Sequence, residues 1–490
     1  MSLSVGLDVA LSGLSTTAEQ TAVVSRNVAR ANDPFATRKN ANVVTTANGG
    51  IRVASVTRAA NSALLEKMLS ATSTSAAQKA IVEALNRLDE TVADPELDTS
   101  PAAMIQKLGD AIQQYAASPQ DPIRAQSAVA AAQNLADALN GATRTVQDVR
   151  AQADAGIANS VTRLNTLLAR FETINSEIVK GTRIGADVTD YLDQRDALLA
   201  DISEDVGIRT VTRANDDMAV FTDSGVTLFD AKARAITFDR TMLYSPGTTG
   251  NAIYIDGVPI AGGAGVMLAG SGRLTGFTAI RDDVATTYQN QLDEVARGLI
   301  EVFAESDQSA TPSLPDAPGL FTYPGAPGMP ASGTLLVGLA GAIRLNPAVD
   351  PAQGGNLALL RDGGIAGDPA YVYNTSGGLA YADRLHQYIA GLAASRSFDP
   401  GAGLTPSATV GGFASTSAAW LQETRKMAND NVGYADTLLQ RSSEALSKET
   451  GVNIDEEMTS LLELERSYQA STRLISTIDN MLKSLLAASG

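Results

Sequence analysis

Apolar residues recur every three or four positions at both ends of the chain and along a central stretch. Near the C-terminus, Leu461, Leu464, Tyr468, Ser471, Ile475, Ile478, Leu482 and Leu485 alternate strictly by 3 and 4. Near the N-terminus, Leu7, Leu11, Leu14, Ala18, Thr21, Ser25 and Val28 follow the same rule. Such spacing lays one apolar stripe along an α-helix. In the middle, Leu135, Leu139, Ala142, Val146, Val149 and Ala153 step 4-3-4-3-4, and Ile157, Val161, Leu164, Leu168 and Phe171 resume after an extra step of four. This predicts one or two long helices with a coiled-coil-like seam and a stutter. Fifty such residues would form a rod of roughly 75 Å.

From about Gly207 the period changes. Val206-Gly-Ile-Arg-Thr-Val, Met218-Ala-Val-Phe, Val226-Thr-Leu-Phe and Ile253-Tyr-Ile read as strands, and Asp256-Gly257 fits a tight hairpin turn. Helical spacing returns after Gly272, where Leu292, Val295, Leu299, Val302 and Phe303 share a face. Residues 312–404 are rich in Pro and Gly with short apolar runs such as Thr334-Leu-Leu-Val, a second loop-rich, β-leaning piece. Helical spacing then runs from about Ser417 to Leu486.

Proline placement supports this division. There is none from Ile123 to Ser245 and none after Pro406, whereas eight of the 18 lie between Pro312 and Pro351. Helix interiors exclude proline. Ser100-Pro101, Ser118-Pro119 and Asp121-Pro122 each pair an N-cap residue with proline at the first helical position. Asn453 and Glu456 have capping-box spacing, and Asp455, Glu456 and Glu457 suit the positive end of the helix that follows.

The expected fold is α+β, elongated and multidomain: a long helical, coiled-coil-like rod built from N- and C-terminal segments, with inserted β-rich outer domains. The expected division is a terminal helical domain (1–50 with 450–490), a helical rod (51–204 with 273–310 and 405–449) and β-rich outer parts (205–272 with 311–404).

Composition narrows the chemistry. The 490 residues hold 37 Lys and Arg against 54 Asp and Glu, a formal net charge of −17. That balance argues against nucleic-acid binding and against docking on an anionic membrane. There is no Cys, which removes disulfides, thiol nucleophiles and Cys-based metal sites, and His386 is the single His. Aromatic residues make up 5% and the mean hydropathy is −0.01. The first basic residue is Arg26 and Asp8 precedes it, unlike a secretory signal; the weakly polar run from Val258 to Gly270 is too short and glycine-rich to span a membrane. The expectation is a soluble protein, whose export would need a route that leaves the N-terminus intact.

Candidate sites are sparse. Asp193-Gln-Arg195-Asp196 reads as a solvated helix face with local ion pairs. Asp216-Asp217 and Asp282-Asp283 lack the spacing of a calcium loop, and Gly262-Gly-Ala-Gly and Gly270-Ser-Gly272 read as turns. No residue is assigned to catalysis, a cofactor or a metal. The terminal stripes are different: one seam does not offset the conformational entropy of ordering such a helix. The available partners are the other terminus and neighbouring molecules, so both ends are expected to order on assembly.

Several strings resemble the flagellar hook-associated protein 1 family. They are Gly451-Val-Asn-Ile-Asp-Glu-Glu-Met, Leu461-Leu and Tyr468-Gln-Ala-Ser at the C-terminus, and Gly13-Leu with Ser25-Arg-Asn-Val-Ala-Arg-Ala-Asn-Asp-Pro-Phe-Ala-Thr-Arg38 at the N-terminus. Phe35 and Ala36 stand where that family usually has Gly and Tyr. Tyr191-Leu-Asp-Gln-Arg-Asp-Ala-Leu-Leu and Gly272-Arg-Leu-Thr-Gly-Phe-Thr-Ala-Ile-Arg-Asp are similar to internal stretches of the same family.

The resemblance implies a non-catalytic structural subunit at the hook–filament junction, secreted by type III export without a cleaved signal. It implies assembly through Leu7, Leu11, Leu14, Asn27, Asn32 and Arg38 at one end, and through Leu461, Leu464, Tyr468, Ile475, Ile478, Leu482 and Leu485 at the other. The implied partners are further copies of the chain, hook protein and hook-associated protein 3, with an export chaperone suited to the C-terminal stripe. A secreted cell-wall or glycan hydrolase, with two carboxylates supplied by the insertions, is the alternative; an intracellular helical scaffold is a third reading.

Overall fold

The computed structural model describes residues 3–89, 100–325 and 328–489. The chain begins with α1 (Leu3–Arg30), a hairpin of β1 (Lys39–Thr45) and β2 (Ile51–Arg58), and α2 (Ser62–Leu88). Three more helices follow: α3 (Pro101–Ala116), α4 (Pro122–Arg183) and α5 (Thr189–Asp205). Caps set two of these starts. Ser100 accepts from the Ala103 N–H at 3.3 Å, and Asp121 accepts from the Ile123 N–H at 2.9 Å. Ser118-Pro119 starts no helix; it belongs to the short turn between α3 and α4, closed by Asp121 N–H on the Ser118 carbonyl at 3.0 Å.

The central seam lies on a single helix. At 62 residues, α4 is about 93 Å long. All eleven seam positions from Leu135 to Phe171 are buried. The stutter has a structural meaning. Seam residues up to Ala153 pack with α3 and with residues from Ile280 onward, whereas those from Ile157 pack with α5 and the first β-rich region. The helix thus crosses from one hydrophobic core to another at the extra step of four. Phe277 packs against both cores there, and its ring lies so close to Gly156 that a Cβ on that residue would meet it at 2.7 Å.

The first insertion is β-rich as expected. β3 (Ile208–Thr212), β4 (Met218–Thr222), β5 (Thr227–Asp230) and β6 (Lys232–Ala233) form an antiparallel sheet in sequence order. β7 (Ile236–Thr237), β8 (Ile253–Ile255) and β9 (Val258–Ala261) form a second, with Asp256-Gly257 turning between β8 and β9 at φ 48° and 80°. The chain then returns to the rod through α6 (Arg273–Thr278), a π-helical turn at Ala279–Val284 and α7 (Ala285–Val302). Gly272 and Gly276 allow this return. Cβ atoms there would approach the Asp205 and Ala77 carbonyl oxygens to 2.5 Å, so α6 lies directly on α2 and the end of α5.

The second insertion is less β-rich than its proline and glycine content predicts. It holds β10 (Phe321–Thr322), α8 (Leu339–Ala342), β11 (Arg344–Leu345), α9 (Leu359–Asp362), α10 (Asp383–Ala393), β12 (Arg396–Ser397) and β13 (Ser407–Ala408). Its strands form only two-residue ladders, and Thr334-Leu-Leu-Val is a loop. Proline removes ladder donors, so the segment packs as loops and short helices on α3, α4 and α7. The chain closes with α11 (Val410–Thr450), packed along α2, and α12 (Ile454–Ser489), packed along α1.

Candidate assembly site

The two ends of the chain form an antiparallel pair. Gly6 faces Ile478, Gly13 faces Ser471 and Asn27 meets Glu457, each step forward on α1 matching an equal step back on α12. Ile478 is buried in this seam, and Leu7, Leu14, Leu461, Leu464, Ile475 and Leu482 are half-buried. Leu11, Tyr468 and Leu485 are 47%, 46% and 55% exposed, and Asn32 is exposed as well. Leu462, Leu474 and Met481 add to the open apolar surface of α12. Each helix therefore satisfies one face and leaves another bare.

Polar side chains fasten this pair at its inner end. The buried Asn27 amide mimics a strand neighbour: it donates to the Lys39 carbonyl at 2.9 Å and accepts from the Lys39 N–H at 3.1 Å. The same amide donates to Glu457 Oε2 at 3.0 Å. Arg38 donates to Glu457 Oε1 and Glu456 Oε2, both at 2.9 Å, and its N–H reaches the Thr450 carbonyl at 2.8 Å. Asn453 accepts from the Asp455 N–H at 3.0 Å and donates its amide to Glu456 at 3.4 Å. Asn27 and Arg38 thus tie the chain's own ends together. The turn between them needs no glycine: Asp33 accepts from the Phe35 N–H at 3.0 Å, which closes an Asx turn over Pro34 and Phe35.

The Asp193–Asp196 string is not the solvated face that its composition suggests. Asp187, Asp190, Asp193 and Asp196 occur every three residues around the start of α5, and Asp193 is fully buried. Asp187 pairs with Arg26 at 2.9 Å, and Asp190 pairs with Arg30 at 2.7 Å and with Lys39. Asp193 accepts from Thr37 Oγ1 at 2.6 Å and meets Arg30 and Lys39 at 3.4 Å and Arg58 at 3.3 Å. Asp196 holds Arg58 at 2.6 Å. Burial pushes the Asp190 carboxyl upward, but the Lys39 hydrogen bond and the charges of Lys39, Arg26 and Arg30 outweigh it and hold it below its usual range. Asp196 is shifted the other way: burial raises it despite Arg58. The ladder joins the terminal pair and its hairpin to the rod. Its bases lie more than 120 residues away in sequence, so local composition gave no sign of them.

Sequence reading also missed the β1–β2 hairpin, which straddles the boundary drawn at residue 50. Its Asn48-Gly49 turn between alternating residues was the available signal. The hairpin lies on α1, where Thr16 Oγ1 donates to the Ile51 carbonyl at 2.9 Å and Ser12 Oγ accepts from the Ile51 N–H at 3.2 Å. His386 is exposed on α10. Among the described residues, no group of three or more acidic or His side chains is arranged to hold a metal. No helix among them is long and apolar enough to cross a membrane.

Comparison with known proteins extends this picture. The model of the flagellar hook-associated protein FlgK helical domain matches residues 85–312, and that of the flagellar basal body rod FlgEFG protein C-terminal matches residues 445–488. Over 308 residues the chain is 23% identical to flagellar hook-associated protein 1 of Salmonella typhimurium, covering 60% of this chain and 55% of that protein. Over 337 residues it is 23% identical to flagellar hook-associated protein 1 of Escherichia coli K12, covering 66% of this chain and 59% of that one. The chain therefore spans somewhat more than half the length of these curated relatives. Among solved structures, the flagellar hook junction protein FlgK from Burkholderia pseudomallei aligns with a TM-score of 0.42 at 21% identity, over 53% of this chain and 46% of that one.

Proposed function

We propose, from the premise that this chain belongs to the flagellar hook-associated protein 1 family, that it is a structural subunit joining hook to filament outside the cell. In this reading the terminal helices carry assembly, the rod holds them in place, and the two insertions decorate the outside. The observation that carries it is the half-satisfied helix pair. Leu11, Tyr468, Leu474, Met481 and Leu485 expose apolar side chains on helices fastened to a rigid rod by Asn27, Arg38 and the α5 aspartates. An exposed apolar strip of this kind is an interaction surface. Its occupants are further copies of the chain and, at the two ends of the junction, hook protein and hook-associated protein 3. Before assembly the same strip on α12 suits an export chaperone. Export through the flagellar type III channel fits a chain without Cys, because no disulfide hinders unfolded passage.

No observation favours the hydrolase alternative. Removing residues 455–490 tests the proposal in cells that lack the native chain. Sheared flagella should contain no truncated chain, while the purified truncation keeps the melting transition of the rod. Truncated chain recovered in flagella at the normal amount would sink the proposal.

A further inference from the structure

Helix α11 carries an apolar strip that the chain leaves bare. Thr424, Met427, Asn431, Tyr434, Leu438 and Arg441 step 3-4-3-4-3, the spacing of a coiled-coil seam. On it Met427, Tyr434 and Leu438 are 51%, 73% and 42% exposed. Leu421, Ala428 and Ala435 on one flank of the strip are buried, whereas Glu423, Asp430 and Glu444 on the other flank are exposed. Because α11 packs along α2, it buries one face and presents a second, edged with acid. An apolar strip this open marks a contact surface.

The chain also holds the complement. Among the described residues, α12 is the one other helix that exposes three or more large apolar side chains. There Ser467, Ala470, Leu474, Thr477 and Met481 step 3-4-3-4, with Leu474 and Met481 49% and 50% exposed. Arg466 and Arg473, both exposed, edge this strip. Met427 and Tyr434 are seven residues apart, and so are Leu474 and Met481, about 10.5 Å along each helix. The edge charges each stand one position before a strip residue, so they occupy the same flank on both helices. Like flanks face each other when two such helices run antiparallel. A pair of two α11 helices, or of two α12 helices, would then set like charges together, and an α11–α12 pair sets acid against base. With Met427 level with Met481 and Tyr434 level with Leu474, Glu444 lies 17 residues along α11 and Arg466 15 residues back along α12. Those rises are about 26 and 23 Å, so the two charges come side by side. Within one chain the match would need α12 folded back along α11; α12 lies along α1 instead.

We infer that the Met427–Leu438 strip of α11 in one copy receives the Leu474–Met481 strip of α12 from a second copy, antiparallel, with Glu444 facing Arg466. The contact joins two different surfaces and therefore lets copies add in succession around a ring or along a row. It names the surface that receives α12, and so deepens the structural role proposed above and rests on it.

The absence of Cys allows a direct test. Full-length Met427→Cys chain is mixed with full-length Met481→Cys chain and oxidised, over a concentration series and in flagella of cells that carry both chains and lack the native one. A mixed disulfide dimer is expected. Met458 is exposed about 140° round α12 from Met481, and Met458→Cys should give about tenfold less dimer with the same partner. Tyr434→Asp on the first chain should lower the yield about tenfold or more and leave the melting temperature unchanged. Glu444→Arg should lower it about twofold to fivefold, and Arg466→Glu on the second chain should restore it. Equal yields from Met481→Cys and Met458→Cys, or a Met427→Cys homodimer in place of the mixed one, overturn the contact. No mixed dimer in flagella that hold both chains overturns the contact and leaves the junction role standing. Cross-linking in solution by chains that never enter flagella overturns the junction role and leaves the contact standing, and chains that do neither overturn both.

Discussion

The rod helix α4 and the terminal helix α12 carry the same kind of apolar repeat, yet they are covered very differently. Along α4 every seam residue from Leu135 to Phe171 is buried among packing neighbours, and a stripe through Ala130, Asp137, Arg144 and Gln152 on the opposite side stays in solvent. Of the described side chains among the 36 residues of α12, only Glu457 and Ile478 are buried. The periodicity fixes a helix in both places; the number of covered faces separates a helix stable within the monomer from one whose remaining surface is open to partners.

The largest effect that would sharpen this contrast lies in the rod. Phe171→Ala removes a fully buried ring stacked edge-on against Phe229 at 5.0 Å, and should cost about 3–5 kcal/mol, read as a lower midpoint of urea unfolding for the whole rod. Next comes the joint between the two regions. Asp193→Ala leaves Arg30, Lys39 and Arg58 without a shared, buried carboxylate, a loss of roughly 3–5 kcal/mol that should appear locally. Amide exchange in α1 and the hairpin should accelerate while α4 stays protected; uniform loss of protection would show that the joint and the rod unfold as one unit.

The smallest effect separates the regions by pH. Burial pushes the Asp293 carboxyl in the rod up to about 6, despite hydrogen bonds from the Ala340 and Gly338 N–H groups and from Gln289. A raised carboxyl pKa stabilises the fold fully below its unfolded value of 3.8 and loses that contribution as pH rises through about 6. Wild type should therefore gain stability over Asp293→Asn between pH 7 and pH 5, measured by urea unfolding. Asp187 and Asp190 at the joint have the opposite sign. Burial raises both, but Thr189 and Arg26 at Asp187, and Lys39, Arg26 and Arg30 at Asp190, hold them below 3.8. Their contribution is complete above 3.8 and fades only as pH falls below it. Mild acid should tighten the rod and leave the clasp closed; release of α1 at pH 5 would contradict this assignment.

What could be read from the sequence follows from how local each signal is. The α4 seam, its stutter, the Asp121-Pro122 start and the Asp256-Gly257 turn are all written within a few residues of where they act. The aspartate ladder is not. Asp187, Asp190, Asp193 and Asp196 look like a wet helix face until Arg26, Arg30, Lys39 and Arg58 arrive from the far N-terminus. The second insertion misled in another way, because Pro and Gly mark turns without saying what lies between them. The β1–β2 hairpin had a legible Asn48-Gly49 turn, overlooked beside the stronger helical stripe. At the candidate site, Asn27 and Arg38 were singled out by the resemblance, whereas their partner Glu457 looked like a dipole-favouring residue of the first turn of α12.

Asn27 and Glu457 stand 430 positions apart. Because a ribosome emits Glu457 long after Asn27, the buckle between them stays open until 430 further residues have been made. Until then Asn27 and Arg38 wait with their shared acceptor missing, and α1 lacks the helix it lies against. A chain halted before Glu457, in synthesis or in a narrow conduit, therefore remains unlatched, and closure itself reports that everything up to that residue has come through.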